Sequence, residues 1–540
     1  MLGLKGMALF QDGKLDDARV AIERSKAINP NDARVRNYLA QVLSALGAHT
    51  ESELEFVAAV RLAPSYMEAW HNAGKTLLKH GKANEAVYAL THALTLAPTD
   101  KEILLKLVEA DFIMHRFSDA EAYIRRLLVL DSSSLVAKLW LAAILRHLDK
   151  TSESSELLEE ALLSTDIASL YDTLVLVGQS ELLAGDLAAS EYWITKAIAL
   201  KPEQAQAYIQ LAATHKFRDS ERELVDKMET LLVTCRDNET RAMEFALGKA
   251  FSDLSDYDRS FVHYQAGNDL VRAQTPFDPS EFIKAIDQHI SLFTKELLNK
   301  LPHGNLSETP ILIVGTPRSG TTLTESIVSS HSHVAGAGEM DYWARVIPHI
   351  MPNLPDSFFP QLAKRVADEY LMFMRQYSPT STRITDKMPG NFLQLGIIHA
   401  IFPNAKIIHV KRNPIDTCLS IYFQNFSFSH HYKWDLESLA LWYEQYLRLM
   451  DHWRSVLPQD VMYEVRYDNL VDNIEGESRK LIDFLGLDWE PGILDYHKHE
   501  RTIFTASKWQ ARQPVYKTSL ERWRRYEKHL GPLLRLLKYA

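Results

Sequence analysis

Cysteine is nearly missing: Cys235 and Cys418 are the only two in 540 residues. They lie far apart, without ligand-type neighbours, which argues against a disulfide framework and a structural zinc site. No run of about 18 uncharged apolar residues offers a membrane span. The start, MLGLKGMALFQDGK, lacks a basic segment leading into an apolar stretch and a small-residue cleavage site, so no secretory signal is read there. These absences predict a reducing, cytoplasmic setting. A broad basic surface is missing as well. With 60 Lys+Arg against 70 Asp+Glu the formal net charge is −10, the wrong sign for general nucleic-acid binding. The acidity belongs to the first half; charges roughly balance beyond Pro310, and the C-terminal stretch is basic, as either a solvated helix face or a polyphosphate site would be. His331, His333 and His409 make no metal-ligand spacing with acidic partners, so no metal site is expected.

What is present is an ordinary globular composition, 46% hydrophobic and 24% charged, in a chain long enough for two to four domains. Its first half repeats. Pro30, Pro64 and Pro98 fall in a 34-residue register, the period of two antiparallel helices and a turn. In the same register Gly6, Ala40 and Gly74 are small, Gly13, Gly47 and Gly81 mark a turn, and Ala18, Ser52 and Ala86 are small again. Ile22, Phe56 and Leu90 supply the large apolar side chains. Small positions let paired helices approach while large ones fill the gap between successive repeats, so no unit buries its face alone. This pattern resembles the tetratricopeptide family, most clearly at Trp70, Gly74, Leu77, Gly81, Ala86, Leu90, Ala93 and Pro98. Weaker copies follow, and after a two-residue slip the register returns at Gly178, Gly185, Ser190, Ile194, Ala197 and Pro202. Gly248, Phe251, Ser260, Tyr264 and Gly267 read as the last copy; 205–240 is hard to read.

The second half carries two anion-binding patterns. ILIVGTPRSGTTLTESIV reads as a buried strand, a glycine turn and a helix. Gly315 and Gly320 let backbone amides crowd a phosphate, and Thr321 and Thr322 open a helix whose amides and dipole favour it. The spacing nearly matches G-x-x-x-x-G-K-[ST], but Thr321 stands where a nucleoside triphosphate needs lysine, which argues against ATP or GTP hydrolysis. AKIIHVKRNPIDTCLSIYF then gives a second strand, Arg412, a Pro414 turn and Ser420 on a helix, a fork and a hydroxyl suited to a separate phosphate. Two grips point to a bis-phosphorylated nucleotide.

From Pro310 to Leu534 the chain resembles the sulfotransferase superfamily, specifically the tyrosylprotein-sulfotransferase-like branch found fused to tetratricopeptides in bacteria. TPRSGTTL looks like the family's 5′-phosphosulfate loop, carrying Pro317, Arg318, Ser319, Gly320, Thr321 and Thr322; KRNPIDTCLS looks like its 3′-phosphate segment, with Arg412 and Ser420. The resemblance implies 3′-phosphoadenosine 5′-phosphosulfate (PAPS) as co-substrate, with no permanently bound cofactor. It implies Glu339, in AGAGEM, as the base that takes the acceptor proton, and Arg318 and Lys387, in TDKMPGNF, as cations at the departing oxygen. Tyr467 corresponds either to an aromatic beside the nucleotide or to a plain core tyrosine. TASKWQARQPVYK resembles a lid in which Ser507 meets sulfate and Lys517 the 3′-phosphate, with Trp509 and Tyr516 over adenine. Where the branch continues with a second acid and an arginine, this chain has Met340 and Asp341, so acceptor specificity does not transfer.

The expected architecture is an all-α tetratricopeptide solenoid over residues 1–269, a helical linker over 270–309, and an α/β parallel-sheet, P-loop-like sulfotransferase domain over 310–540. The expected activity is sulfuryl transfer to a hydroxyl of a peptide tyrosine, a carbohydrate, a lipid or a small phenol, with a peptide or protein in the repeat groove. The rivals are a tetratricopeptide scaffold whose second domain binds nucleotide without catalysis, and an ATP-dependent kinase, which Thr321 disfavours.

Overall fold

The computed structural model describes residues 2–148, 150–163, 166–272, 277–350, 360–426, 431–498 and 520–539. Contacts divide the chain into two compact units, one ending at Leu254 and the other beginning at Ser255. No described helix is long and apolar enough to cross a membrane.

The first unit is built of consecutive helix hairpins, beginning with Leu2–Gln11 and Leu15–Ile28, then Ala33–Ala45 and His49–Leu62, then Met67–Lys79 and Ala83–Leu96. The turn glycines Gly13, Gly47 and Gly81 have φ of 76°, 79° and 76°, the left-handed conformation that ends one helix and aims the next. One period further on, His115 adopts the same conformation at φ 58° despite its side chain, which shows how strongly the repeat geometry dictates the turn. The small positions serve close approach. A Cβ on Gly74 would lie 2.5 Å from Leu90 Cγ, and one on Gly178 would lie 2.7 Å from Ile194 Cδ1. The other small position does a second task when it is serine. Ser52, Ser154 and Ser190 each donate a buried hydroxyl to the carbonyl twelve residues back, Ala40, Ala142 and Gly178, at 2.7, 2.6 and 2.7 Å. The segment that was hard to read forms Ala205–Thr214 and Arg222–Leu232, joined through a short 3-10 turn.

Tyr257–Arg272, read from its register as the final repeat helix, is gathered by its contacts into the second unit. Ser260 Oγ lies 3.1 Å from the Tyr526 hydroxyl, Asn268 Nδ2 donates to Tyr422 O at 3.0 Å, and the Tyr264 ring stacks on Phe423 at 3.9 Å. The expected linker likewise packs there: Pro279–Leu292 runs into Phe293, whose ring meets Trp453 edge-on and whose carbonyl faces His452 Nε2 at 2.9 Å.

The core of the second unit is a five-stranded sheet of β1 (Pro310–Gly315), β2 (Val334–Gly336), β3 (Arg383–Asp386), β4 (Lys406–Lys411) and β5 (Met462–Arg466). The order is β2-β3-β1-β4-β5 and every pairing is parallel. β1 is buried along its whole length, which its unbroken apolar run PILIVG reflects. Register sets Leu312 beside Asp386 on one side and Ile407 on the other. Ile311, Ile313, Ile327, Val328, Ile408, Val410 and Val465 share one packed cluster.

Gly74→Ala supplies the test of the hairpin geometry. Alanine is the better helix former by about 0.8–1.0 kcal/mol, yet overpacking against buried Leu90 should outweigh this and cost about 1–3 kcal/mol. Urea unfolding should show the loss for Gly74→Ala and a smaller additional loss when Leu90→Ala already leaves room; strict additivity would contradict the contact.

Candidate active site

Each strand hands over a candidate residue at its carboxyl end. β1 opens into the 316–320 loop and the Thr321–Val328 helix; β4 is followed by Arg412, β3 by Lys387 and β5 by Tyr467, while β2 leads to Gly338 and Glu339. In a parallel sheet these ends share one edge. The order reverses its winding between β1 and β4, the crevice where open α/β sheets hold ligands.

The loop is tightly held. A Cβ on Gly315 would sit 2.6 Å from Val410 O, and Gly320, at φ 106°, would drive one to 2.3 Å from the Tyr467 ring. Ser319 is buried and donates its hydroxyl to Thr316 O at 2.8 Å, so its side chain closes the turn. Arg318 is left-handed at φ 68°, a conformation costing a side chain about 1–3 kcal/mol and concentrated at functional sites. That backbone lets Arg318 face the second motif: its Nε donates to Ser420 Oγ at 3.0 Å, and its carbonyl accepts from Arg412 Nη1 at 3.3 Å. The Arg412 guanidinium lies 4.9 Å from the centre of the Tyr467 ring. Asn413 caps the Pro414–Tyr422 helix by accepting from Ile415 N and Asp416 N, which sets where Ser420 emerges. Thr321 and Thr322 are buried in the first turn, and Pro317 is half-buried in the loop. The structure therefore brings together Gly320, Arg318, Arg412, Ser420 and Tyr467.

Glu339 and Lys387 form a second cluster. Lys387 is fully buried and its Nζ donates to Glu339 Oε1 at 2.7 Å, while the Glu339 side chain keeps 40% exposure. A buried ammonium without a counter-charge is strongly disfavoured, so the two define one another's position. Lys387 is not a surface lysine. Ser507 and Lys517, with Trp509 and Tyr516, lie outside the described residues. His331 and His409 are satisfied in the core, His331 with Asp488 O at 2.9 Å and His409 with the Tyr446 hydroxyl.

Sequence reasoning missed the polar residues beneath this cluster. Glu325, on the helix after the loop, accepts through Oε1 from Gly338 N at 2.9 Å and from Thr385 Oγ1 at 2.7 Å. Lys387 N donates to Gly338 O at 2.8 Å. Asp386 is wholly buried and accepts through Oδ2 from the Tyr370 hydroxyl at 2.8 Å and Asn391 Nδ2 at 3.1 Å. Burial pushes its carboxyl up to about 7 against the pull of those two bonds, with the Glu325 charge adding to the rise. The one available signal was two acidic residues at inward-facing positions of a strand and a helix.

Residues 310–491 match the Sulfotransferase family and 68–100 a tetratricopeptide repeat. An uncharacterized protein of Aquifex aeolicus (strain VF5) is 34% identical over 373 residues, 66% of this chain and 48% of that protein. Protein-tyrosine sulfotransferase A of Caenorhabditis elegans is 25% identical over 36% of this chain and 53% of its own length. The protein-tyrosine sulfotransferase of Drosophila melanogaster is 24% identical over 35% of this chain and 41% of its own. The chain thus spans about half the length of these relatives.

Asp386 makes stability depend on pH. Its folded pKa lies above the ordinary 3.8, so between those values the native state binds the extra proton and stability falls as pH rises towards about 7. Asp386→Asn keeps the acceptor without titrating. Its stability relative to the wild type should climb from pH ~4 to ~7 and level off above; a pH-independent difference in denaturant midpoints would refute the assignment.

Proposed function

Because the chain joins tetratricopeptide repeats to a sulfotransferase-family domain, we propose that it transfers a sulfuryl group from PAPS to an acceptor hydroxyl. The observation that supports this reading above others is the meeting of two separate anion grips across the β1–β4 crevice, Arg318 touching Ser420 and Arg412 touching Arg318.

In this reading the 316–320 loop and the first turn after it, with Pro317, Ser319, Gly320, Thr321 and Thr322, hold the 5′-phosphosulfate. Arg412 and Ser420 hold the 3′-phosphate, and Tyr467 lines the nucleotide. The acceptor oxygen forms a bond to sulfur as its proton passes to Glu339. The bond from sulfur to the bridging oxygen breaks, and its electron pair stays on the 5′-phosphate, where Arg318 and Lys387 stabilise the growing charge. The products are a sulfate ester and adenosine 3′,5′-bisphosphate. Ser507 and Lys517 are assigned to the sulfate and the 3′-phosphate in a segment outside the described residues. Relatives named as protein-tyrosine sulfotransferases make a peptide tyrosine the first acceptor to try, with the repeats as the docking surface for the peptide or protein. A cytoplasmic setting is part of the same proposal and suits the two free cysteines.

Calorimetry with adenosine 3′,5′-bisphosphate and with ATP tests the donor site. The bisphosphate should bind tightly and ATP weakly. Arg412→Ala should weaken the bisphosphate by about 2–4 kcal/mol and its 3′-dephosphorylated analogue much less; equal weakening of both would remove the 3′-phosphate assignment. Radiolabelled PAPS offered to peptide, glycan and phenolic acceptors tests transfer itself. With an acceptor in hand, Glu339→Gln should lower turnover by about 10²-fold or more at nearly unchanged donor affinity. Wild-type turnover in that variant would mean that another group takes the proton.

A further inference from the structure

The base proposed above stands on the turn that carries Gly338. Gly338 has φ 71°, and a Cβ there would meet nothing within 4 Å. Beside the buried Met340, hydrogen bonds restrain it. Ala337 N donates to Thr385 O at 3.3 Å, Lys387 N to Gly338 O at 2.8 Å, and Gly338 N to Glu325 Oε1 at 2.9 Å. Two of these three come from the β3 end. The third comes from another element, the Thr321–Val328 helix that begins where the phosphate loop ends.

Glu325 is buried to 9% exposure, and the same oxygen that accepts from Gly338 also accepts from Thr385 Oγ1, itself wholly buried on β3. One carboxylate oxygen therefore joins the phosphate-loop helix, the turn before Glu339 and the strand before Lys387. A ring of bonds results. It runs from Gly338 O to the Lys387 backbone, along the Lys387 side chain to Glu339 Oε1 and back to Gly338 through the chain, and Glu325 is joined to it at Gly338 N. Burying a carboxylate is costly unless its hydrogen bonds repay it, and a carboxylate is a stronger acceptor than a neutral group. An aliphatic side chain would fill the space but leave the part-buried Gly338 N–H without this partner.

We propose that Glu325 is a positioning residue: it sets the distance between the loop that holds the donor and the carboxylate that takes the acceptor proton. The inference rests on the sulfuryl-transfer reading of the site. Glu325 touches neither reactant and acts through Glu339. A misplacement of about 1 Å in a reacting group lowers rates by about 10²-fold, so the restraint governs chemistry more than donor binding.

The test compares Glu325→Ala with Glu325→Gln, whose side-chain oxygen still accepts from Gly338 N while the Thr385 hydroxyl turns to suit. Glu325→Met replaces the alanine variant if the latter does not fold. Amide exchange in the full chain, followed by mass spectrometry on a peptide spanning 334–340, reads the restraint without reference to activity. Exchange should quicken at least about tenfold in Glu325→Ala and stay near wild type in Glu325→Gln. Unchanged exchange in Glu325→Ala would overturn the restraint. Turnover of radiolabelled PAPS, with the acceptor from the screen or with water, should fall about 10–10²-fold in Glu325→Ala at near-wild-type adenosine 3′,5′-bisphosphate affinity and recover in Glu325→Gln. Added to Glu339→Gln, Glu325→Ala should cost little more, because the group it positions is gone. An equal loss in both backgrounds would overturn the positioning role. A wild-type chain that neither binds the bisphosphate nor consumes PAPS would overturn the functional reading and the catalytic half of this proposal with it, while the exchange result would still decide whether Glu325 holds the turn.

Discussion

The parallel pairing of β1 with β3 on one side and β4 on the other is the constraint on which the second unit depends. Side chains more than sixty residues apart in the chain become neighbours only because three strands end at one edge. Pairing within a sheet is unforgiving: a slip of one residue would turn every side chain of a strand to the opposite face. Because β1 is apolar and buried on both faces, its pattern alone does not resist that slip; Gly315 beside Val410 O does, leaving no room for the strand to shift while keeping the loop closed.

Around that edge the protein holds charge in a way that the hydrophobic core alone would not tolerate. Lys387, Asp386 and Glu325 are all buried or nearly so, and each is answered differently: the first by an opposite charge, the second by a raised pKa and two hydroxyl or amide donors, the third by a backbone amide and a hydroxyl on one oxygen. Such groups add little to net stability against apolar replacements of equal size. They do fix geometry, because each satisfied partner has one arrangement in which its bond is made.

Much of this was legible in the sequence and some of it was not, for physical reasons. Repeats announce themselves because one packing problem is solved many times: Gly74 against Leu90 and Gly178 against Ile194 are the same contact, and the left-handed turn recurs at Gly13, Gly47 and Gly81. The tight loop at 316–320 was legible because backbone clearance demands glycine where Gly315 meets Val410 and Gly320 meets Tyr467. The register also enrolled Tyr257–Arg272 among the repeats, since local periodicity records that a helix has an apolar face and not what covers it; Tyr422, Phe423 and Tyr526 do so. Glu325, Thr385 and Asp386 were passed over because their bonds, from Thr385 to Glu325 and from Tyr370 and Asn391 to Asp386, follow no helix or strand period. Only the odd presence of acids in buried elements hinted at them. Ser507 and Lys517, assigned by resemblance, fall outside the described residues and stand where the sequence left them.

The helix Tyr257–Arg272 carries one more implication, for how such a chain could be cut or recombined. Its ring contacts with Phe423 and His529 and the hydrogen bond from Asn268 Nδ2 to Tyr422 O make it part of the wall behind the helix that bears Ser420. A module lifted out at the end of the visible repeat pattern would leave that wall open, with Tyr422 O and the Phe423 ring facing water. The portable piece starts upstream, at Ser255, so a graft onto a different scaffold would need to bring along a helix that looks, letter by letter, like property of the array it leaves behind.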